Sequence, residues 1–274
     1  MKKIAVVGLG IIGGSICASL TKAGYKVDGF GRSESSIEFA LKAGYIEKRG
    51  ENISDYDVVF LALPYGATIE YLETSPFKKG ALVSDICGVK GEVEKVVYAK
   101  ERAYRYVGLH PMAGKETSGI ASADEKLFKN ANVIITRASF TNERDVEEIK
   151  EYLRAMEFGK IIECTAEEHD KKIALTSQLA HLVSNAYVKS PHVANCEGFT
   201  GGSFQDMTRI AGVDEKMWTQ LYMVNRENVC QELEGLINNL SAYLTALKEN
   251  DEEKLSEILK EGRLIREKIK RERK

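Results

Sequence analysis

Proline is nearly absent: there are four in 274 residues, and only Pro191 lies beyond residue 165. Proline interrupts helices, so the second half of the chain can carry long ones. Cysteine is also sparse. Cys17, Cys87, Cys164, Cys196 and Cys230 are odd in number, scattered, and never spaced C-x-x-C. That excludes a disulfide framework or a zinc ribbon and fits a reducing cytoplasm. His192 and Cys196 stand four apart, as on one helix face, but no second pair completes a ligand set and no metal is expected. No apolar run approaches the ~20 residues of a membrane span, and no signal peptide is expected before the first strand. Charge of one sign is missing too. The chain holds 39 Lys+Arg and 41 Asp+Glu, a net charge of -2, which argues against nucleic acid or an anionic membrane as partner. Repeats and low-complexity tracts are absent. A soluble, cytoplasmic protein is expected.

What is present is a packed chain, 43% hydrophobic, long enough for two domains. Short apolar runs at 3–8, 26–30, 57–63, 81–86, 106–109, 133–136 and 160–164 read as strands. The run at 57–63 is nearly continuous, as in a parallel strand buried on both faces. Helical spacing falls between most of them, at 11–23, 36–43, 91–102 and 143–156. Such alternation predicts a doubly wound α/β sheet. After Cys164 the pattern changes. Thr165-Ala166-Glu167-Glu168 has the form of a capping box that opens a helix. No strand pattern follows, while 215–247 and 252–271 carry apolar residues at helical spacing. The expected boundary divides residues 1–165, an α/β domain, from residues 166–274, an all-helical one. Apolar residues surround much of the 215–247 helix, which predicts interlocking of two subunits as a homodimer. The mixed charges of 261–274 read as a solvated helix face.

Gly8-Leu9-Gly10-Ile11-Ile12-Gly13 follows a strand and opens a helix, the context a dinucleotide fingerprint requires. Gly8 permits the tight turn, Gly10 lets backbone approach a pyrophosphate, and Gly13 lets helix and strand pack closely. The helix N-terminus then favours the phosphates. NAD sites place an acid at the end of the second strand, for the ribose 2′-OH. Here Gly31 stands in that place, followed by Arg32 and Ser33, which can bind a 2′-phosphate. NADP is therefore favoured over NAD. Leu63, Pro64, Asp85 and Cys87 lie just beyond, or at the end of, later strands, where ligands of open α/β sheets bind, and are expected at the cofactor. His110-Pro111 also follows a strand. A histidine held there can accept a proton near neutral pH.

These motifs, in order, carry a specific resemblance. Gly8 to Gly13, Asp85 to Lys90, His110-Pro111-Met112-Ala113-Gly114 with Glu116 and Ser118-Gly119, Ser177 to His181, and Thr208-Arg209-Ile210-Ala211 resemble the prephenate/arogenate dehydrogenase family. Met217-Trp218 and Asn225-Arg226-Glu227-Asn228 continue it, so it spans nearly the whole chain. It implies a Rossmann-type dinucleotide-binding domain followed by a helical dimerisation domain, and oxidative decarboxylation of a cyclohexadienyl substrate. It implies that His110 withdraws the ring hydroxyl proton as hydride leaves, that Arg209 binds the ring carboxylate, and that His181 stands near the substrate side chain. Lys115, Glu116 and Gln178 are implied as further substrate contacts. Two departures stand out. Gly88 replaces a serine that orients the histidine in many members, so Cys87, a water or the cofactor is expected to orient His110. Gln178 replaces the first histidine of Ser-His-Leu-Pro-His. The expected substrate is prephenate, with arogenate as alternative. A different Rossmann-plus-helical dehydrogenase and a non-catalytic nucleotide sensor are the more distant readings.

Overall fold

The computed structural model describes residues 2–115 and 117–272. In chain order they form β1 (Ile4–Val7), α1 (Ile11–Lys22), β2 (Val27–Phe30), α2 (Glu34–Lys42), β3 (Val58–Leu61), α3 (Tyr65–Thr74), β4 (Leu82–Asp85) and α4 (Gly91–Tyr98). Next come β5 (Arg105–Tyr106), β6 (Gly108–Pro111), β7 (Val133–Thr136), α5 (Glu143–Ala155), β8 (Ile161–Cys164) and α6 (Ala166–Ile173). A π-helical turn at Ala174–Leu179 leads to α7 (Ala180–Tyr187), α8 (Gly202–Thr208), α9 (Glu215–Val224), α10 (Arg226–Lys248) and α11 (Glu252–Glu272).

The chain divides into two units. The first ends at Ile173 but also takes Gly212–Asn225; the second holds Ala174–Ala211 and the helices from Arg226 on. The first unit thus keeps α6, past the expected boundary at Thr165. Thr165 does cap that helix, its Oγ1 accepting from the Glu168 N–H at 3.1 Å. The helix stays with the sheet because its inner face, His169, Asp170 and Ile173, is buried.

A parallel sheet of order β2-β1-β3-β4-β5 builds the first unit. Its strands alternate with period two. Ile4, Val6, Val58, Phe60 and Leu82 face one core, with Ile16 and Leu20 of α1 and Val146, Ile149 and Leu153 of α5. Ala5, Val7, Val59, Leu61 and Val83 face the other, with Leu72 of α3 and Val93 and Val97 of α4. Both faces are covered, which is why these strands are almost wholly apolar. Each large side chain so buried contributes about 1.5–3 kcal/mol.

Two expected elements are broken. The run 106–109 predicts one strand, but β5 ends the parallel sheet and β6 joins a second sheet, β6-β7-β8. There β6 pairs antiparallel with β7, His110 opposite Ile134. Gly108 permits the passage: a Cβ there would stand 2.4 Å from Thr136 Oγ1. The run 215–247 predicts one helix, but Asn225 (φ -107°, ψ 23°) separates α9 from α10. Its buried side chain donates to the Asp170 carbonyl at 2.9 Å.

In the second unit α7 is laced to the end of α8 and the segment after it. Ser184 Oγ donates to the Met207 carbonyl (2.7 Å) and Asn185 Nδ2 to that of Ala211 (3.1 Å). Helices α10 and α11 pack together, yet Ile237, Leu240, Leu244 and Leu247 of α10 are each more than half exposed. Among the described residues no helix is long and apolar enough to cross a membrane.

Candidate active site

The parallel register sets Phe30, Val7, Leu61 and Asp85 side by side at one edge of the sheet. A cleft of about 800 Å³ opens at that edge, and Gly8, Leu9, Gly10, Arg32, Ser33, Leu63 and Pro64 line it. Gly8 has φ +96°, and a Cβ there would meet the Ala62 carbonyl oxygen at 2.2 Å. A Cβ on Gly13 would lie 1.8 Å from the Gly8 oxygen. These two glycines are needed for packing. Gly10 differs: nothing lies within 4 Å of the position of its Cβ. Gly10 is also the N-cap of α1, with no side-chain cap and no acid in the first turn. Open space before uncapped amides fits a dinucleotide pyrophosphate. Ile11 and Ile12 begin α1 and are half-buried.

Arg32 is exposed in the cleft lining. Ser33 caps α2, its Oγ accepting from the Ser36 N–H at 3.3 Å. Arg49 lines the same end of the cleft and pairs with Glu34 at 2.6 Å. Sequence spacing gave no hint of Arg49, which arrives through an isolated bridge to Gly29.

The turn after β4 is built around a buried ion pair. Lys90 Nζ lies 2.6 Å from Asp85 Oδ1, and both side chains are fully buried. The Cys87 N–H donates to the same oxygen at 2.8 Å, and Tyr106 OH donates to Oδ2. Asp85, expected at the cofactor, therefore turns its carboxylate inward and spends it on the protein. Cys87 is also buried; its thiol bonds Thr68 Oγ1 at 3.4 Å and is pushed up to about 12, mainly by burial. It does not bond His110, so of the three expected partners of that ring, Cys87, a water or the cofactor, Cys87 is not the one.

His169 holds that ring instead. His110 Nδ1 lies 2.8 Å from His169 Nε2, and His169 Nδ1 lies 2.7 Å from Asp170 Oδ1. Asp170 in turn accepts from the Lys90 and Gly91 N–H groups at 2.8 and 2.7 Å, at the start of α4. The other edge of the half-buried His110 ring faces Gly88: a Cβ there would stand 3.7 Å from both Cε1 and Nε2. Burial, then His169 and the Lys90 ammonium, hold His110 well below the usual histidine range. His169 is lowered as well, chiefly by burial, against the opposing pull of Asp170. A ring of this kind stays neutral and able to accept a proton. Neither His169 nor Asp170 stood in a motif. The signal available was the capping box at Thr165, which puts both residues in the first turns of α6.

Lys115 pairs with Asp124 at 3.2 Å on the surface. Glu116 lies outside the described residues. Gln178, His181 and Arg209 belong to the second unit. Gln178 is buried in the π-helical turn. His181 Nδ1 is 2.9 Å from the carbonyl oxygen of Ile210, the residue after Arg209, so the second unit brings His181 and the Thr208-Arg209-Ile210-Ala211 segment together.

Two family models match the chain. The prephenate dehydrogenase nucleotide-binding domain matches residues 16–163, and the prephenate dehydrogenase dimerization domain matches residues 165–261. A prephenate dehydrogenase of Lactococcus lactis subsp. cremoris is 30% identical, over 97% of this chain and 77% of that protein. A cyclohexadienyl dehydrogenase of Zymomonas mobilis is 29% identical, over 97% and 95%. Among solved structures, prephenate dehydrogenase from A. aeolicus in complex with hydroxyphenyl propionate and NAD+ has a TM-score of 0.85 at 30% identity, covering 98% of both chains.

Proposed function

This chain belongs to the prephenate dehydrogenase family, and we propose that it converts prephenate to 4-hydroxyphenylpyruvate and carbon dioxide, with NADP as oxidant. The observation that carries this reading is His110: neutral, half-buried, one ring edge fixed and the other facing Gly88. Such a ring can take the proton of a ring hydroxyl. Arg209 is assigned the ring carboxylate, since guanidinium grips a carboxylate by two parallel hydrogen bonds. His181 is placed near the substrate side chain, with Gln178, Lys115 and Glu116 as further contacts. The bound nicotinamide would supply the hydride acceptor. Loss of the carboxylate as carbon dioxide leaves its bonding electrons in the ring, which becomes aromatic, so no strong acid is required of the protein.

Gly8, Gly10, Gly13 and the start of α1 would hold the pyrophosphate. NADP is assigned on the far end of the cleft, where Gly31 replaces an acid and Arg32, Arg49, Ser33 and Ser36 converge. The A. aeolicus relative is described with NAD+, so the choice is tested directly. Arg32→Ala should weaken NADP much more than NAD; equal loss of both would remove Arg32 as phosphate ligand.

Two copies are proposed to associate through the second unit, covering Ile237, Leu240, Leu244 and Leu247. A monomer in sedimentation at micromolar concentration would contradict this. Five free cysteines support a cytoplasmic setting.

The deciding assay offers purified protein prephenate or arogenate with NAD or NADP and follows reduced cofactor. Faster turnover of arogenate would favour the alternative substrate. His110→Asn should lower turnover roughly 10²–10⁴-fold with cofactor binding intact. Near-normal turnover would remove His110 as the base.

A further inference from the structure

A base must present a bare nitrogen, and an imidazole has two nitrogens that exchange roles between tautomers. The direction of the hydrogen bonds behind His110 settles which nitrogen is bare. The starting point is Asp170. Its Oδ1 lies near the Lys90 N–H and His169 Nδ1, and its Oδ2 accepts from the Gly91 N–H. The start of α4 favours a negative charge there. A carboxylate in this position only accepts. His169 must therefore donate from Nδ1.

A neutral imidazole carries one N–H. With that proton on Nδ1, the Nε2 of His169 is a bare acceptor. It lies 2.8 Å from His110 Nδ1, so His110 must donate there. The only proton of the neutral His110 ring is then committed to Nδ1, and Nε2 is left bare on the edge facing Gly88. Burial disfavours a charge on either ring, and with one N–H apiece the geometry admits these directions alone. The chain is anchored on three regular elements, β6, α6 and α4, so each ring is fixed by packing as well as by bonding.

We infer that His169 and Asp170 are positioning residues that lock His110 in its Nδ1–H tautomer, keeping Nε2 as the proton-accepting atom. The inference rests on the proposed function only in saying what Nε2 is for. When Nε2 takes a proton, the bond from His110 Nδ1–H to His169 becomes charge-assisted and strengthens. The same two residues therefore steady the imidazolium at the moment it forms. They act on the Nδ1 edge of His110, opposite the edge that faces Gly88.

Two-bond proton–nitrogen spectra of the full-length protein with ¹⁵N-labelled histidine read the tautomer without any turnover. At pH 7.5 the wild-type His110 should show a protonated Nδ1 and a bare Nε2; the reverse overturns the inference whatever the enzyme's activity. His169→Leu should release the tautomer to a mixture or to Nε2–H. It should also lower kcat on the order of 10²-fold, a large part of what a general base supplies. His169→Gln places an amide oxygen near the lost Nε2, and should restore both the tautomer and most of kcat. Losses in both variants with the tautomer unchanged would mean that His169 only fills space, and would overturn the inference. If His169→Leu does not fold, the wild-type and His169→Gln spectra still decide. The two readings fail separately. A locked Nδ1–H tautomer in a protein that turns over neither prephenate nor arogenate would sink the proposed function alone. Normal turnover with Nε2–H at His110 would sink the lock alone.

Discussion

Lys90→Met tests the foundation on which the His110 centre stands. The ammonium of Lys90 and the carboxylate of Asp85 meet at 2.6 Å with no exposure on either side. Intact, such a pair contributes little net stability, because desolvating two charges offsets most of their attraction. Removing one partner is different. Methionine keeps the volume of the lysine stem, so packing should change little. The Asp85 carboxylate would stay buried with only the Cys87 N–H and Tyr106 OH to hold it. An uncompensated buried charge of this kind costs about 3–5 kcal/mol. Adding Asp85→Asn removes the second charge, and the double variant should recover on the order of 2 kcal/mol relative to the sum of the singles. The assay is urea unfolding followed by fluorescence. The chain has one tryptophan, Trp218, and it lies on α9 in the first unit, so the signal reports the unit that holds the pair. A Lys90→Met loss below about 1 kcal/mol, or strict additivity in the double variant, would refute the argument.

The sequence and the structure agree most closely where a local rule decides the outcome. The strands at 57–63 and 81–86 are legible because a strand covered on both faces must be apolar throughout. Gly8 and Gly13 are legible because each sits where a Cβ would collide with backbone. Disagreement begins where tertiary partners decide. Tyr106 and Leu109 look like one strand because nothing local marks the passage between sheets; its cause is the close approach of Gly108 to Thr136. Asn225 looks like an ordinary helix residue, and its break is held by a bond to Asp170, 55 residues earlier. The site divides in the same way. His110 stood in a motif. His169 became functional only through a ring 59 residues away. Asp85 shows the converse error: a residue at the carboxyl end of a strand looked poised for cofactor, but burial had already given its oxygens to Lys90, Cys87 and Tyr106.

Gly10→Ala and Gly8→Ala should separate binding from folding. Gly10 has open space around its Cβ position, so its variant should keep the wild-type Tm and lose dinucleotide affinity; Gly8→Ala meets Ala62 at positive φ and should lower Tm. Wild-type affinity in Gly10→Ala would remove the pyrophosphate from that position. Arg209→Ala should raise KM for the cyclohexadienyl substrate, by on the order of 2–5 kcal/mol if the pair is desolvated, and Arg209→Lys should recover only part, since an ammonium lacks the planar fork. Unchanged KM in Arg209→Ala would end that assignment. Acid stability tests the neutral pair. His110 and His169 are both depressed from the ordinary value near 6.5, chiefly by burial. Below about pH 6.5 the unfolded chain binds protons that the folded chain refuses, so stability must fall as pH falls. The contribution is complete above the unfolded value and is lost progressively until the folded values are reached. Each ring can contribute a slope of about 1.4 kcal/mol per pH unit, and the two titrate as a coupled pair. Urea unfolding at pH 7.5, 6.5 and 5.5 should show the decline above the range where carboxylates dominate. The His110→Asn/His169→Gln double variant should flatten it. A wild-type profile that is level from 6.5 to 5.5, or an equal slope in the double variant, would mean that the two rings are not buried neutral. The same depression keeps His110 unprotonated below pH 6.5, so the acid limb of kcat/KM should fall at a lower pH than that of an ordinary histidine.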